Sequence, residues 1–316
     1  MGLCHCRTFP VQLEPSRALA YAGGMTSTQE PMMAVIGGSG FYDLPGITQA
    51  EERVVQTPFG APSDSIRLGR CNGRRVAFLA RHGRDHTLLP NEVNSQANIY
   101  ALKALGTTHI LSVSAVGSLR ENIAPGDVVL PHQFIDRTLD RPRSFFGEGV
   151  VAHIAFADPI CMRLSSMMET AARTVPGQVH AGGTYVCIEG PQFSPRAESE
   201  LWRQWGATVV GMTNLPEARL AREAEICYAT IALPSDYDCW RTHNEHVTAF
   251  EAFETLKRTV DRAKLIVATV LSTVDAGASC VCQTALDAAL VTAPGAIGPA
   301  QRQRLAAILE RRLRQP

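Results

Sequence analysis

Short apolar runs that stop at glycine, hydroxyl or charged residues recur along this chain, with helical patterns between them. Met33 to Gly37 runs into Gly38-Ser39-Gly40, and residues 75–80 (RVAFLA) run into Arg81-His82. Residues 109–114 end in Ser114-Ala115, 209–212 in Met212-Thr213, and 226–233 in Pro234-Ser235-Asp236. Further strands are read at 127–130 and 184–188, and helices at 94–105, 159–173, 199–205, 216–225, 248–271 and 301–314. Apolar runs of this length alternating with amphipathic stretches predict an α/β fold, here a single domain with a central mixed β-sheet flanked by helices. The domain is read over 32–298 and a basic terminal helix over 299–316. Residues 1–31 show neither period and read as a disordered extension or a mis-assigned start, with Met25, Met32 and Met33 as alternative starts.

Composition excludes several classes. Thirty Lys+Arg balance thirty Asp+Glu in 316 residues, so the basic surplus of a general nucleic-acid binder is missing. An apolar fraction of 45% supports a substantial core and argues against disorder of the main chain. Low-charge stretches such as Leu265 to Val274 are far shorter than the ~20 apolar residues of a membrane span. Nine cysteines lie scattered through apolar segments without a CxxC, which reads as buried thiols in a reducing cytoplasm. Cys280 and Cys282 form the one close pair near the end, read as packed thiols rather than a disulfide. No metal site is expected: His243-Asn244-Glu245-His246 is not HExxH, and it reads as an exposed helix start.

Ligands of open α/β sheets bind at the carboxyl ends of strands, so the residues there carry the functional reading. Ser39 sits in a glycine-rich turn that lets backbone N–H groups approach an anion, although an ordinary tight turn looks the same. Arg81 and His82 open a segment with two Arg and two His in six residues, a local positive centre suited to phosphate oxygens. Ser114, Ala115 and Thr213 add hydroxyls and an approachable backbone, and Met212 offers a flexible apolar surface to a sugar. Asp236 and Asp238, next to Ser235, point to one side of an extended segment, where neighbouring carboxyls raise each other's pKa. Such a pair suits a purine, one carboxyl at N7 and one accepting from a 6-amino group.

The segments GGSGF (37–41), ARHGRDH (80–86), SAVGSLRE (114–121), IEGPQFSPRAE (188–198), GMTNLPEARLAREAEICYA (211–229) and SDYDCW (235–240) follow one another as they do in the trimeric purine nucleoside phosphorylase family. Over about residues 33–295 the chain resembles the S-methyl-5′-thioadenosine phosphorylases of that family. The resemblance implies phosphorolysis of S-methyl-5′-thioadenosine to adenine and 5-methylthioribose 1-phosphate, a pentosyl transfer in purine and methionine salvage. It implies inorganic phosphate as co-substrate, no cofactor and no metal, and a cytoplasmic homo-oligomer, a trimer or a pair of trimers. Carried over by motif, Ser39, Arg81, His82, Ser114, Ala115 and Thr213 resemble the phosphate site. Met212, Phe193, Ser235, Asp236, Asp238 and His153 resemble the nucleoside site, His153 lent by a neighbouring subunit, with Asp236 and Asp238 as the catalytic pair. Ser194 and Ala249 stand at specificity positions.

There are departures. Val116 replaces a common Cys, Ala249 and Ala252 replace larger apolar residues and widen the 5′ pocket, and Pro234 at a strand end shifts the Asp pair. A 6-oxopurine phosphorylase, acting on inosine, guanosine or methylthioinosine, is the alternative within this chemistry. An NAD-binding oxidoreductase rests only on the glycine-rich first turn and lacks GxGxxG. A nucleoside-binding protein without turnover leaves the phosphate donors unexplained.

Overall fold

The computed structural model describes residues 30–38, 41, 46–241 and 249–314. Most of the expected extension over 1–31, Ser39 and the segment from His243 to His246 lie outside the described residues. The chain opens with β1 (Met32–Gly37), β2 (Ile47–Arg53), β3 (Ile66–Cys71) and β4 (Arg74–Ala80). Helix α1 (Ser95–Ala104) leads into the long β5 (Thr107–Ser118), then β6 (Val128–Leu130) and β7 (Gln133–Arg137). Next come α2 (Met162–Arg173), β8 (Val179–Ala181), β9 (Thr184–Ile188), α3 (Arg196–Gln204), β10 (Val209–Gly211), α4 (Asn214–Glu223) and β11 (Cys227–Asp236). Helices α5 (Ala249–Thr273), α6 (Pro299–Arg304) and α7 (Ala306–Arg314) complete the order.

All eleven strands form one mixed sheet, in the order β2-β3-β4-β1-β5-β10-β9-β7, with β11 on the other edge of β5 and β6 and β8 beyond it. The centre is parallel: β1 pairs with β4 and β5, and β11 pairs with β5. Residues of β1 are buried throughout and those of β11 are buried up to Ser235. Strands covered on both faces need such continuous apolar runs, which is why these two were legible. By contrast β2 (ITQAEER) is an exposed edge strand carrying charges, β3 is basic, and β8 has three residues. Their apolar alternation is absent in β2 and β7 and spans only three residues in β3 and β8, too short to mark a strand, and all four lie outside the strands expected from the sequence.

The helices pack the sheet faces. Ile99 and Leu102 of α1, Leu164 and Met168 of α2 and Val267 and Leu271 of α5 are fully buried in the main core. Where one terminal helix was expected, α6 and α7 are separated at Leu305, and Ile308 and Leu309 pack inward. The Nε of Arg311 meets Glu225 at 2.8 Å and its Nη2 meets Asp287 at 2.6 Å, so the basic face of α7 is tied to the domain. Among the described residues no helix is long and apolar enough to cross a membrane.

The end of α4 carries a buried acid. Glu223 accepts from the Ser144 hydroxyl at 2.8 Å and the Phe145 N–H at 2.7 Å, yet burial pushes its pKa up from 4.5 to about 7. Because the folded value is raised, the protonated acid favours the fold. That contribution is fully present below the unfolded pKa and is lost as pH rises through about 7. Glu223→Gln is expected to lose the part of the melting-temperature drop between about pH 5 and about pH 8 that this acid causes, measured by thermal denaturation beside the parent chain.

Candidate active site

The parallel centre brings several strand ends to one edge of the sheet. Gly37 ends β1, Ala80 ends β4 and Asp236 ends β11, while the Arg81 N–H donates to the Gly37 carbonyl at 3.0 Å. Strand β10 pairs antiparallel with the far end of β5, Val209 opposite Ser118 and Val210 opposite Gly117. The chain leaving β10 therefore returns along β5. Thr213 and Asn214 arrive at Ser114, whose hydroxyl donates to the Asn214 Oδ1 at 3.2 Å. Ala115 is the one exposed residue in an otherwise covered strand. Arg81, Ser114, Ala115, Met212, Thr213, Ser235, Asp236 and Asp238 thus share one region, as the sequence reading expected of them.

The expected positive centre is neutralised. Arg81 is buried, with its Nε 2.8 Å and Nη2 3.0 Å from the two carboxylate oxygens of Glu217 in the first turn of α4. Its Nη1 donates to the Val113 carbonyl at 2.9 Å and its Nη2 also to Ser112 at 2.7 Å. Arginine has five N–H donors, so one Nη1 hydrogen remains without an assigned partner among the described residues. The ion pair holds the guanidinium charged against burial. Arg84 pairs with Glu52 at 3.1 Å. Half-buried His82 has its pKa lowered to about 4 by burial first and by Arg81 second, so its ring is neutral near pH 7. Its Nδ1 lies 2.9 Å from the Leu88 carbonyl, which can only accept; the ring therefore donates there and leaves Nε2 as an acceptor.

Beside these groups lies a buried hydroxyl cluster, in which Tyr185 OH stands next to Thr213 and Ser114. Burial pushes the Tyr185 phenol up to about 12, so it remains an O–H donor close to Thr213 and Ser114. Asn214 donates to Tyr228 at 2.5 Å and Thr230 at 2.7 Å, fixing the turn behind Thr213. Helix φ/ψ starts only at Pro216, since Leu215 is extended at φ −120 and ψ 135.

The aspartates are arranged differently from the expectation. A register irregularity separates Pro234 from Asp236, and Asp238 has φ +52, in the left-handed region. An extended segment therefore does not align the two carboxyls. Instead the chain turns: the Asp238 N–H donates to Asp236 Oδ1 at 2.7 Å, and the Ser235 hydroxyl to Asp236 Oδ2 at 2.7 Å. Trp240, donating from Nε1 to the Ser118 carbonyl at 2.8 Å, anchors the turn. Burial raises the pKa of both aspartates, that of Asp238 to about 6 with the Asp236 charge contributing. Asp238 Oδ2, Ser194 Oγ and Ser199 Oγ are buried, with Ser199 close enough to Asp238 to act against the rise of its pKa. Gly117 makes room for the pair: a Cβ there would stand 3.1 Å from Asp236 Oδ1 and 3.1 Å from the Asp238 Cβ.

Met212 is placed by two residues that the sequence reading passed over. Gly190, at φ +68, leaves space where a Cβ would overlap the Met212 sulfur. Arg141, buried in the loop after β7, donates to the carbonyls of Met212 at 2.6 Å, Leu215 at 3.0 Å and Glu189 at 2.5 Å. Phe193 follows in the same loop as Glu189 and is 50% exposed, with Ser194 buried behind it. His153 is exposed, its backbone N–H bonded to the Ala289 carbonyl at 2.8 Å. Ala249 begins α5, and its side chain lies outside what is described. Glu217 was legible only as a charge at the start of an apolar helix, and Arg141 gave no local signal.

Residues 33–272 match the model of the phosphorylase superfamily. The chain is 52% identical over 281 residues to the S-methyl-5′-thioadenosine phosphorylase of Geobacter sulfurreducens, covering 89% of this chain and 98% of that one. It is 51% identical over 288 residues to that of Gloeobacter violaceus, covering 90% and 96%. A methylthioadenosine phosphorylase crystal structure from an antarctic soil metagenomic library superposes with a TM-score of 0.85 at 47% identity, covering 89% and 99%. The methylthioadenosine phosphorylase of Schistosoma mansoni in complex with adenine gives 0.78 at 35% identity, covering 83% and 99%. The chain belongs to the phosphorylase superfamily, within its family of S-methyl-5′-thioadenosine phosphorylases.

Gly117→Ala tests the packing of the aspartates. If the aspartates act on the substrate, it is expected to lower kcat by about tenfold to a hundredfold with an unchanged far-ultraviolet spectrum, the scale of displacing reacting groups by a fraction of an ångström. Steady-state kinetics beside circular dichroism measure both.

Proposed function

We propose that the protein catalyses phosphorolysis of S-methyl-5′-thioadenosine, giving adenine and 5-methylthioribose 1-phosphate, with inorganic phosphate as co-substrate. The observation that carries this reading is the meeting at one sheet edge of a buried hydroxyl cluster, Ser114, Thr213 and Tyr185, with the turn that holds Asp236 and Asp238. The two groups differ in kind. Hydroxyl donors suit phosphate oxygens, and carboxyls suit a purine edge.

In this reading phosphate sits among Ser39, Ser114, Thr213 and the Ala115 backbone, with the remaining Nη1 hydrogen of Arg81. His82 meets it as an acceptor for the hydrogen of HPO4²⁻. Met212 lies against the ribose, Phe193 and Ser194 beside the base, and Ser235 steadies Asp236. The C1′–N9 bond breaks as adenine gains negative charge, which a proton held on Asp236 stabilises at N7. A donor strengthened only as that charge develops accelerates the step. Phosphate oxygen then bonds to C1′, and the hydrogen lost from HPO4²⁻ balances the one that adenine gains. Asp238 accepts from the 6-amino group, and a 6-oxo group would set acceptor against acceptor. That contact disfavours the inosine-type alternative.

Adenine release from S-methyl-5′-thioadenosine is expected only with phosphate present, and inosine is expected to be a poor substrate. A coupled assay with each nucleoside, with and without phosphate, measures this. Asp236→Ala is expected to reduce turnover by about 10² or more, the scale of losing a positioned proton donor. Near-normal turnover would exclude that role.

The aspartate environment adds a pH dependence. With its pKa near 6, Asp238 in the free enzyme loses its acceptor charge below that value. The kcat/KM for S-methyl-5′-thioadenosine is therefore expected to rise through about pH 6, and Asp238→Asn to remove that limb of the profile.

The same reading places the protein in the cytoplasm, with no nucleic-acid or membrane partner, as a homo-oligomer: a trimer or a pair of trimers. Its support is the half-exposed Phe193 and the exposed His153, Leu139 and Val151, which a neighbouring subunit would cover.

A further inference from the structure

Far from the strand ends described above, four cysteines that the sequence scatters come together. Cys161 caps α2, Cys227 opens β11, and Cys280 and Cys282 flank the start of a 3₁₀ turn over Val281–Thr284. Their four sulfurs all lie within 4.8 Å of one another. Cys161 and Cys280 are 3.6 Å apart. Tetrahedral zinc with bonds of about 2.3 Å sets its sulfurs about 3.8 Å from each other, whereas a disulfide needs about 2.05 Å.

We propose that Cys161, Cys227, Cys280 and Cys282 form a closed tetrathiolate site for a structural zinc ion. It would tie α2, β11 and the segment after α5 together. Four protein ligands leave no position for water, so the site is structural rather than catalytic.

The surroundings fit a thiolate cage. The Cys161 N–H donates to the Tyr228 carbonyl at 2.9 Å, which fixes the first ligand beside the second. Gln283 closes the turn of the other two: its side chain accepts from the Cys280 N–H at 3.2 Å, and its own N–H donates to the Cys280 carbonyl at 2.9 Å. Cys161, Cys227 and Cys282 are buried. Zinc with four thiolates carries a net charge of two minus, which needs compensation in a buried place. Arg163 lies beside Cys161, Cys227 and Cys280, and Arg222 is near enough to act on Cys282. Binding releases the four thiol protons.

Local ligand spacing along the chain predicts no metal site. The Cys161 and Cys280 ligands stand 119 residues apart, and the fold alone joins them. A bare Cys-X-Cys signalled only half the cage.

The test uses the full chain without a polyhistidine tag, purified under reductant, stripped of metal with a thiol-reactive mercurial and regenerated. One equivalent of Zn²⁺ per chain is expected to rebind, with four fewer thiols reacting with a disulfide reagent. Co²⁺ is expected to give thiolate charge transfer in the near ultraviolet and intense bands in the red. The Cys280→Ser, Cys282→Ser double variant should lose both the equivalent and the spectrum, while Cys71→Ser, elsewhere in the core, should keep them. The inference is overturned by failure of the reduced chain to take up either ion, by a cobalt spectrum that survives the double variant, or by disulfides among these four in metal-replete protein. Should the double variant not fold, cobalt uptake by the parent chain decides the matter.

Discussion

The Arg81–Glu217 ion pair is the contact on which the active-site edge depends. It joins the end of β4 to the first turn of α4, beside the middle of β5. Glu217 also accepts from Ser112 at 2.9 Å and Tyr228 at 2.8 Å, so β5, β11 and α4 all meet on one carboxylate. Removing one member of such a buried pair costs about 3–5 kcal/mol, since the other charge is left unmatched. The pair also decides the electrostatics. A free arginine would draw phosphate by charge, but here the charge is spent on the scaffold. In the proposed reading, recognition then falls largely to neutral groups, the Thr213 hydroxyl and the backbone near Ala115, with the one remaining Nη1 hydrogen of Arg81.

Arg141 extends the same logic to the sugar side. Its guanidinium bridges the carbonyls of Glu189 and of Met212 and Leu215. The loop bearing Phe193 and the loop bearing Met212 and Thr213 are therefore tied together by one buried side chain.

Much of this was legible in the chain, for reasons specific to particular residues. β1 and β11 are buried on both faces, so their apolar runs stand out. Arg81, Ser114, Thr213 and Asp236 were legible because each stands where an apolar run stops. The edge strand β2 and its neighbour β3 escaped, because solvent exposure and charge along the chain obscure the period. Partners in space also escaped. Glu217 is 136 residues from Arg81, and nothing local tells a pairing carboxylate from a solvated one. The extended segment expected for the aspartates is absent: a turn at Asp238 sets their geometry.

Strand β11 pairs with β5 from Cys227 opposite His109 to Asp236 opposite Gly117. One strand edge thus fixes both the cysteine end and the aspartate end, about 30 Å apart at the usual rise per residue. A slip of one residue between these strands would turn every side chain of β11 to the opposite face. Asp236 would leave Gly117, and Cys227 would leave its three companions, in a single event. Misregistered chains would therefore hold no partial activity, and each end of the strand serves as a proofreading mark for the other.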